Sequence, residues 1–258
     1  MKNKTALITG ASKGLGKEFA KIHAANGGNL VLVARSRDQL IQLKNELEMQ
    51  YNSIRVEVIV KDLTVPDSAN EVYNEIKEKN IQIDYLINNA GFGEFGFFVD
   101  ANWDRFAQMI DLNIKSLTHL CHLFLPEMMA QKQGKIMNIS STAAFQPGPM
   151  MAVYFASKAF VQHFSEALNN EVKDKGVSVT AFCPGPTDTH FMDDSKMKQS
   201  KLLENTKLAS SYAVALSGYK AMMNAKPVKI HGVLNNAMIF SLRLVPRKWV
   251  VALLRSQA

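Results

Sequence analysis

Two residues in this 258-residue chain have the types and spacing to pass a proton between them and a bound molecule: Tyr154 and Lys158. Read as early positions of a helix containing Tyr154-Phe155-Ala156-Ser157-Lys158, they lie one turn apart on one face, so the ammonium reaches toward the phenol's side. A free phenol ionises at about pH 10, and a fixed cation beside it favours the phenolate and lowers that value toward working pH. Tyr154 is therefore a candidate acid and base. The spacing alone is weak, because Tyr73-Asn74-Glu75-Ile76-Lys77 repeats it and fits a solvated helix face equally well. The elements that carry each pair must separate them.

The first such element is a short apolar run, Thr5 to Thr9, followed by Gly10-Ala11-Ser12-Lys13-Gly14-Leu15-Gly16 and then a helical pattern from Lys17 to Ile22. A buried strand that feeds a helix through a glycine turn lets the backbone approach a phosphate, and the N–H groups and positive dipole end of the helix hold the anion. The spacing Gly-x-x-x-Gly-x-Gly differs from the common dinucleotide fingerprint, but it occupies the same place in a strand–turn–helix unit.

A second strand, Asn29 to Ala34, ends at Arg35-Ser36-Arg37. Sites selective for NAD place an acid near this point to bind the ribose 2′-hydroxyl, and no acid stands here. Arg35, with Ser36 and Lys13, suits a 2′-phosphate instead, so the expected cofactor is NADP(H). A helix from about Arg37 to Gln50 leads to the strand Arg55 to Val60 and then Asp62-Leu63 just past its end, where doubly wound sheets bind ligands. Asp62 is read either as an adenine contact or as the N-cap of the next helix, about Pro66 to Asn80.

A fourth strand, Ile83 to Ile87, runs into Asn88-Asn89-Ala90-Gly91, read as support for the cofactor ribose. The apolar, glycine-rich loop Phe92 to Phe98 suits a wall of a substrate pocket or plain packing. A long helical stretch from about Trp103 to Gln131 carries Asn113, which must bond into a polar network or mark a bend. The strand Lys135 to Ile139 then delivers Ser140, Ser141 and Thr142.

Composition bounds what else the chain can be. With 47% hydrophobic residues and no compositional break, residues 1–258 are expected to form one α/β domain with a single doubly wound parallel sheet and helices on both faces. The N-terminal apolar run is too brief for a signal peptide or a membrane span, which sets a cytoplasmic expectation. The two cysteines, Cys121 and Cys183, read as small buried hydrophobes, and no Cys/His spacing suggests a metal site.

In order along the chain, Thr9-Gly10-x-x-x-Gly14-x-Gly16, Asn88-Asn89-Ala90-Gly91, Ser141, and Tyr154-x-x-x-Lys158 thirteen residues after that serine resemble the short-chain dehydrogenase/reductase family. Pro184-Gly185-Pro186-Thr187-Asp188-Thr189, after a strand from Val177 to Phe182, looks like that family's nicotinamide loop. The likeness runs from Lys4 to about Gly232, and the copy at Tyr73 fails it because Val60, not serine, stands thirteen residues before. The resemblance implies a hydride exchanged between a nicotinamide and a carbonyl or secondary alcohol. In it Tyr154 is the general acid or base, Lys158 lowers its pKa and binds the ribose, Ser141 orients the substrate oxygen, and Asn113 holds a water that links Lys158 to solvent. Pro184, Gly185, Thr187 and Thr189 contact the nicotinamide. Whole phrases such as Val31 to Ser36, Ser141 to Gly148 and Phe182 to Thr187 are similar to a bacterial subgroup of this family, mostly known only in general terms, so no substrate is implied. A homodimer or homotetramer is the expected assembly. The rival expectation is a silent nucleotide-binding sensor or scaffold of the same fold, which a damaged catalytic set would mark. None of the four positions is damaged.

The charge is unevenly placed. From Lys196 onward there are eleven Lys and Arg against the single acid Glu204, so about +10 of the net +7 lies there and about −3 elsewhere. Residues 190–208 are expected to form a substrate lid. Residues 233–258 form an apolar tail with basic punctuation in which Pro246 divides two short helices; it is read as packing on the substrate loop or a second subunit, or as an anchor on anionic lipid, with nucleic acid set aside. The aromatic loop and Met150, Met151, Met192 and Met197 suit an apolar substrate, although core or lid packing explains them too.

Overall fold

The computed structural model describes residues 2–189 and 208–257, which leaves most of the expected lid, including Met192 and Met197, outside the described residues. Seven strands form one parallel sheet: β1 Thr5–Thr9, β2 Asn29–Ala34, β3 Val56–Val60, β4 Tyr85–Asn88, β5 Gly134–Ile139, β6 Val177–Cys183 and β7 Val228–Ile230. Their order is β3-β2-β1-β4-β5-β6-β7, so the chain builds outward from β1 in one direction and then crosses over to β4. That reversal places the C-terminal ends of β1 and β4 side by side, in register from Ala6 against Tyr85 to Ile8 against Ile87. The crevice outside such a reversal is where ligands bind in open α/β sheets.

The helices are α1 Gly14–Ala25, α2 Arg37–Gln50, α3 Ser68–Glu78, α4 Trp103–Ile110, α5 Leu117–Ala130, α6 Ala152–Val172, α7 Ser211–Met223, α8 Val233–Ser241 and α9 Arg247–Gln257. Two apolar layers sandwich the sheet. One joins α1, α2 and α7 to alternate strand residues such as Ala6, Ile8, Leu30 and Leu32; the other joins α3 and α5 to the residues between them, Leu7, Val31 and Leu86. Period-two alternation puts neighbouring strand residues on opposite faces, so these runs must be apolar throughout. Cys121 and Cys183 are buried and free.

Three details differ from the sequence reading. The stretch from Trp103 to Ala130 is not one regular helix, because residues Asp111–Ser116 widen into a π-type turn between α4 and α5. Asn88 completes β4 instead of following it. Asp62 does not cap α3: Asp67 stands at that position, while Asp62 Oδ1 accepts hydrogen bonds from the backbone and hydroxyl of Thr64 at 3.0 and 2.8 Å.

One buried contact gives the fold a pH dependence. His23 Nε2 lies 2.9 Å from the Lys4 carbonyl, which can only accept, so Nε2 carries the proton and Nδ1 accepts from the Tyr219 hydroxyl at 2.7 Å. Burial holds the His23 pKa below the ordinary histidine value. The folded state therefore keeps His23 neutral while the unfolded chain takes up a proton, so its contribution is complete above about pH 6.5 and is lost as pH falls. The thermal midpoint is expected to drop between pH 7.5 and 5.5 more steeply in the native chain than in His23→Gln; equal slopes would contradict this.

Candidate active site

The glycine turn is shaped by close backbone approach. Gly10 has φ +64°, and a Cβ on Gly16 would lie 2.2 Å from the Gly10 carbonyl oxygen. The turn is fixed to β4 by Thr9 and Asn89. Thr9 Oγ1 accepts from the N–H groups of Asn89 and Ala90, both at 3.0 Å, and Asn89 Nδ2 donates to the carbonyls of Thr9 and Gly10 at 2.9 and 3.2 Å. No side-chain bond caps α1 at Lys13, whose backbone is extended, so the dipole end of the helix is not closed by its own N-cap. Ser12 and Leu15 flank this turn, Leu15 packing on the adjoining core. A glycine turn held this tightly, with the start of the helix uncapped by a side chain, fits a dinucleotide.

At the ends of the next strands, Arg35 and Ser36 are exposed and Leu63 is buried. Arg35 Nη1 lies 3.8 Å from Asp62 Oδ2, a loose pair at the surface that leaves most of the guanidinium open.

Tyr154 and Lys158 both lie on α6, one turn apart, and both are buried. Lys158 Nζ lies 5.8 Å from the centre of the Tyr154 ring and donates to the Ile139 carbonyl at the end of β5, at 2.9 Å. The Ser141 side chain hydrogen-bonds the Tyr154 hydroxyl, and its oxygen accepts from Ala143 N at 3.1 Å. Ser140 Oγ donates to the Lys158 carbonyl, tying β5 to α6 behind the site.

Burial sets the electrostatics of this pair in the chain alone. Burial pushes the Tyr154 phenol up to about 12, with the Ser141 hydrogen bond opposing it, and burial pulls the Lys158 ammonium down to about 8. In the chain alone, burial therefore holds Tyr154 in its protonated form.

Asn113 satisfies both alternatives left open for it. It sits in the π turn, its Oδ1 accepts from Phe92 N at 3.1 Å, and its Nδ2 donates to the Phe92 carbonyl and to Ser157 Oγ at 3.0 and 3.1 Å. The wider turn aims a buried amide at a loop backbone instead of at solvent. A Cβ on Gly91 would lie 2.9 Å from Asn113 Oδ1 and 3.4 Å from Lys158 Nζ, so both groups face this residue. Ser157, to which sequence reasoning gave no role, donates to the Tyr154 carbonyl at 2.7 Å and joins Asn113 to α6. The available signal was its place three residues after Tyr154, a serine on the same helix face.

The loop beyond β6 brings its residues back to the glycine turn. Pro184 accepts from Thr142 N at 2.9 Å, Thr187 Oγ1 donates to the Gly185 carbonyl at 2.8 Å, and Thr189 is the residue that a Cβ on Gly14 would touch, at 3.4 Å. Phe92, Phe95, Phe106, Met109 and Met151 pack with Tyr154 in a separate apolar cluster beside it.

The second Tyr-x-x-x-Lys pair serves a different purpose. Tyr73 and Lys77 both bond the Glu127 carboxylate, clamping α3 to α5, and Tyr73's pKa is raised chiefly by that bond. Among the described residues no group of three or more His, Cys, Asp and Glu is placed to hold a metal.

Comparison with known proteins places this geometry. An uncharacterized oxidoreductase of Staphylococcus epidermidis is 32% identical over 217 residues, covering 84% of this chain and 92% of that one. The structure of a short-chain dehydrogenase from Sphingobium yanoikuyae in complex with NADPH superposes with a TM-score of 0.82 at 31% identity, covering 93% of this chain and 94% of that one. A bulky-bulky ketone specific alcohol dehydrogenase from Comamonas testosteroni gives 0.80 at 30% identity, covering 95% and 93%. A family model described as short chain dehydrogenase matches residues 4–200. With that match spanning the glycine turn, the serine and the tyrosine–lysine pair, the chain belongs to the short-chain dehydrogenase/reductase family, an oxidoreductase on a nucleotide-binding Rossmann-like fold.

Proposed function

We propose that this protein is an NADP(H)-dependent carbonyl reductase, working in reverse as a secondary-alcohol dehydrogenase, with Tyr154 as its general acid and base. The observation that carries the reading is the convergence of Ser141, Tyr154, Lys158 and Asn113 from three separate elements onto the sheet edge that also holds the glycine turn. The residues present fit a dinucleotide: Gly10, Ser12, Lys13, Gly14, Leu15 and Gly16 would hold the diphosphate, and Arg35 and Ser36 a 2′-phosphate. Asp62 and Leu63 would border the adenine, Asn89, Ala90, Gly91, Tyr154 and Lys158 the ribose, and Pro184, Gly185, Thr187 and Thr189 the carboxamide. Bound there, the dinucleotide supplies or receives the hydride.

The chain's own residues manage the charge on oxygen. In reduction, negative charge builds on the substrate oxygen, and the Ser141 and Tyr154 hydroxyls, hydrogen-bonded to each other in the chain alone, are the two donors that would turn to it. A phenol pushed up to about 12 is protonated at neutral pH and ready to donate. Lys158, anchored on the Ile139 carbonyl, puts a cation beside the phenolate that donation leaves behind. Asn113 is a positioning residue: both its amide hydrogens are used by Phe92 and Ser157, leaving a lone pair on Oδ1 for a water on the path to Lys158. The apolar cluster of Phe92, Phe95, Phe106, Met109 and Met151 suits a bulky apolar carbonyl compound, a class for which the Comamonas testosteroni relative is named.

The cofactor choice rests on the open Arg35. Titration with both dinucleotides is expected to show tighter binding of NADPH than NADH, with Arg35→Asp reducing that preference at least roughly tenfold, as loss of a charge-assisted fork requires. An unchanged ratio would remove the assignment of NADP(H). A panel of bulky ketones with NADPH separates the enzyme from a silent nucleotide-binding scaffold, which would bind the dinucleotide and turn over nothing.

A further inference from the structure

The C-terminal helices present a surface that the catalytic reading does not use. Ile239 on α8 and Val250 and Leu254 on α9 turn inward, whereas Val233, Leu234, Phe240, Leu244 and Trp249 are 62 to 89% exposed. Apolar residues of this size, grouped over two short helices and their connection, form a patch where scattered single exposures would be ordinary. The same segment carries Arg243, Arg247, Lys248 and Arg255, all exposed, and no acid occurs after Glu204. Around α9 the order is inward Val250 and Leu254, then Lys248 and Arg255, then Trp249, so the basic groups flank the aromatic residue along the helix.

We infer that α8 and α9 dock the protein on an anionic lipid bilayer surface, lying in the interface plane with Phe240, Leu244 and Trp249 among the headgroups and the four basic residues against lipid phosphates. Charge complementarity decides the occupant. Two copies that met symmetrically through this patch would bring four cations against the same four cations, a cost that an anionic surface turns into attraction. Helix α9 has 11 residues, about 16 Å at the α-helical rise, and no described helix is long and apolar enough to cross a membrane, so the mode is interfacial. Docking here also brings the membrane to the site, because α8 begins against the nicotinamide loop: a Cβ on Gly185 would lie 2.5 Å from Asn235 Nδ2.

The test uses the full chain with vesicles of mixed phosphatidylglycerol and phosphatidylcholine, and with vesicles of phosphatidylcholine alone. In a Trp103→Phe background Trp249 is the only tryptophan, and its emission should shift to shorter wavelength on mixing with the anionic vesicles. Co-sedimentation with them should weaken as salt rises, and by about fivefold for each basic residue lost, so by more than about 25-fold in the charge-reversed Arg247→Glu/Lys248→Glu. Those positions are exposed, and circular dichroism should show the fold intact. Trp249→Ser should weaken binding without changing its salt dependence. Equal binding to both vesicle types would overturn the electrostatic assignment. Absence of binding would overturn docking altogether; if the same charge-reversal variant then dissociated an oligomer seen by sedimentation velocity, the patch would be a contact between copies.

Discussion

Tyr154→Phe is expected to lower kcat roughly a hundred- to ten-thousand-fold while leaving dinucleotide affinity within a few fold of native. The substitution removes one hydroxyl from a ring that is already buried and keeps its packing against Phe155 and the Met151 cluster. The fold should therefore persist, and the lost group is the one that bonds Ser141 and would donate to the substrate oxygen. The direction of reaction gives a second readout. Reduction needs the protonated phenol, so its rate should hold through neutral pH and fall only at alkaline pH; oxidation needs the phenolate, so its rate should rise with pH over the same interval. Steady-state kinetics in both directions, with dinucleotide titration of the variant, check the result. A Tyr154→Phe protein that keeps more than about a tenth of native kcat would remove Tyr154 from the reaction.

Gly16→Ala should do comparable damage by a different route. The added methyl would meet the Gly10 carbonyl oxygen at 2.2 Å and its carbon at 2.8 Å, both backbone atoms of the turn. Asn89 Nδ2 also stands 2.7 Å away, and swinging that side chain aside would leave the backbone clash, so the turn itself must move. Overpacking of this kind costs about 1–3 kcal/mol, which for a domain of this size lowers the thermal midpoint by about 2–4 °C per kcal/mol. The displaced N–H groups are those that would hold the diphosphate, so dinucleotide affinity should fall at least roughly tenfold, one interaction's worth of about 1.4 kcal/mol. Differential scanning fluorimetry with and without NADPH would show both effects: a lower midpoint, and a smaller upward shift on adding the dinucleotide. A variant that melts with the native chain and gains as much from NADPH would contradict this role for the turn.

The strands and most helix bounds were legible because apolar runs, glycine turns and helical periodicity are local properties; β1, β2 and α2 fall where the pattern placed them. The glycine turn was legible as a strand–turn–helix pattern, whereas Ser141 and the Tyr154–Lys158 pair were singled out through the family resemblance, since spacing alone did not separate Tyr154 from Tyr73. What escaped depends on distant partners. Asn113's bonds to Phe92 and Ser157, and the π turn that aims it, join segments some twenty to forty residues apart. The use of Tyr73 and Lys77 as a clamp was hidden because Glu127 lies on another helix. Spacing reports how near Lys158 stands to Tyr154, whereas how completely both groups are buried is a property of the assembled fold. The tail's composition showed an apolar and basic segment, and only packing could show which of its residues face outward.

In the proposed reaction a hydride moves to a carbonyl carbon and Tyr154 supplies the accompanying proton. The most direct measurement is a single-turnover reaction of a bulky ketone with NADPH deuterated at its transferable position, run on the native protein and on Tyr154→Phe and analysed by mass spectrometry of the alcohol. Deuterium is expected on the carbinol carbon, with the alcohol formed rapidly by the native protein and roughly a hundred-fold or more slowly by the variant. Alcohol formed at equal rates by both proteins, or an intact dinucleotide with no alcohol from the native protein across the ketone panel, would contradict it.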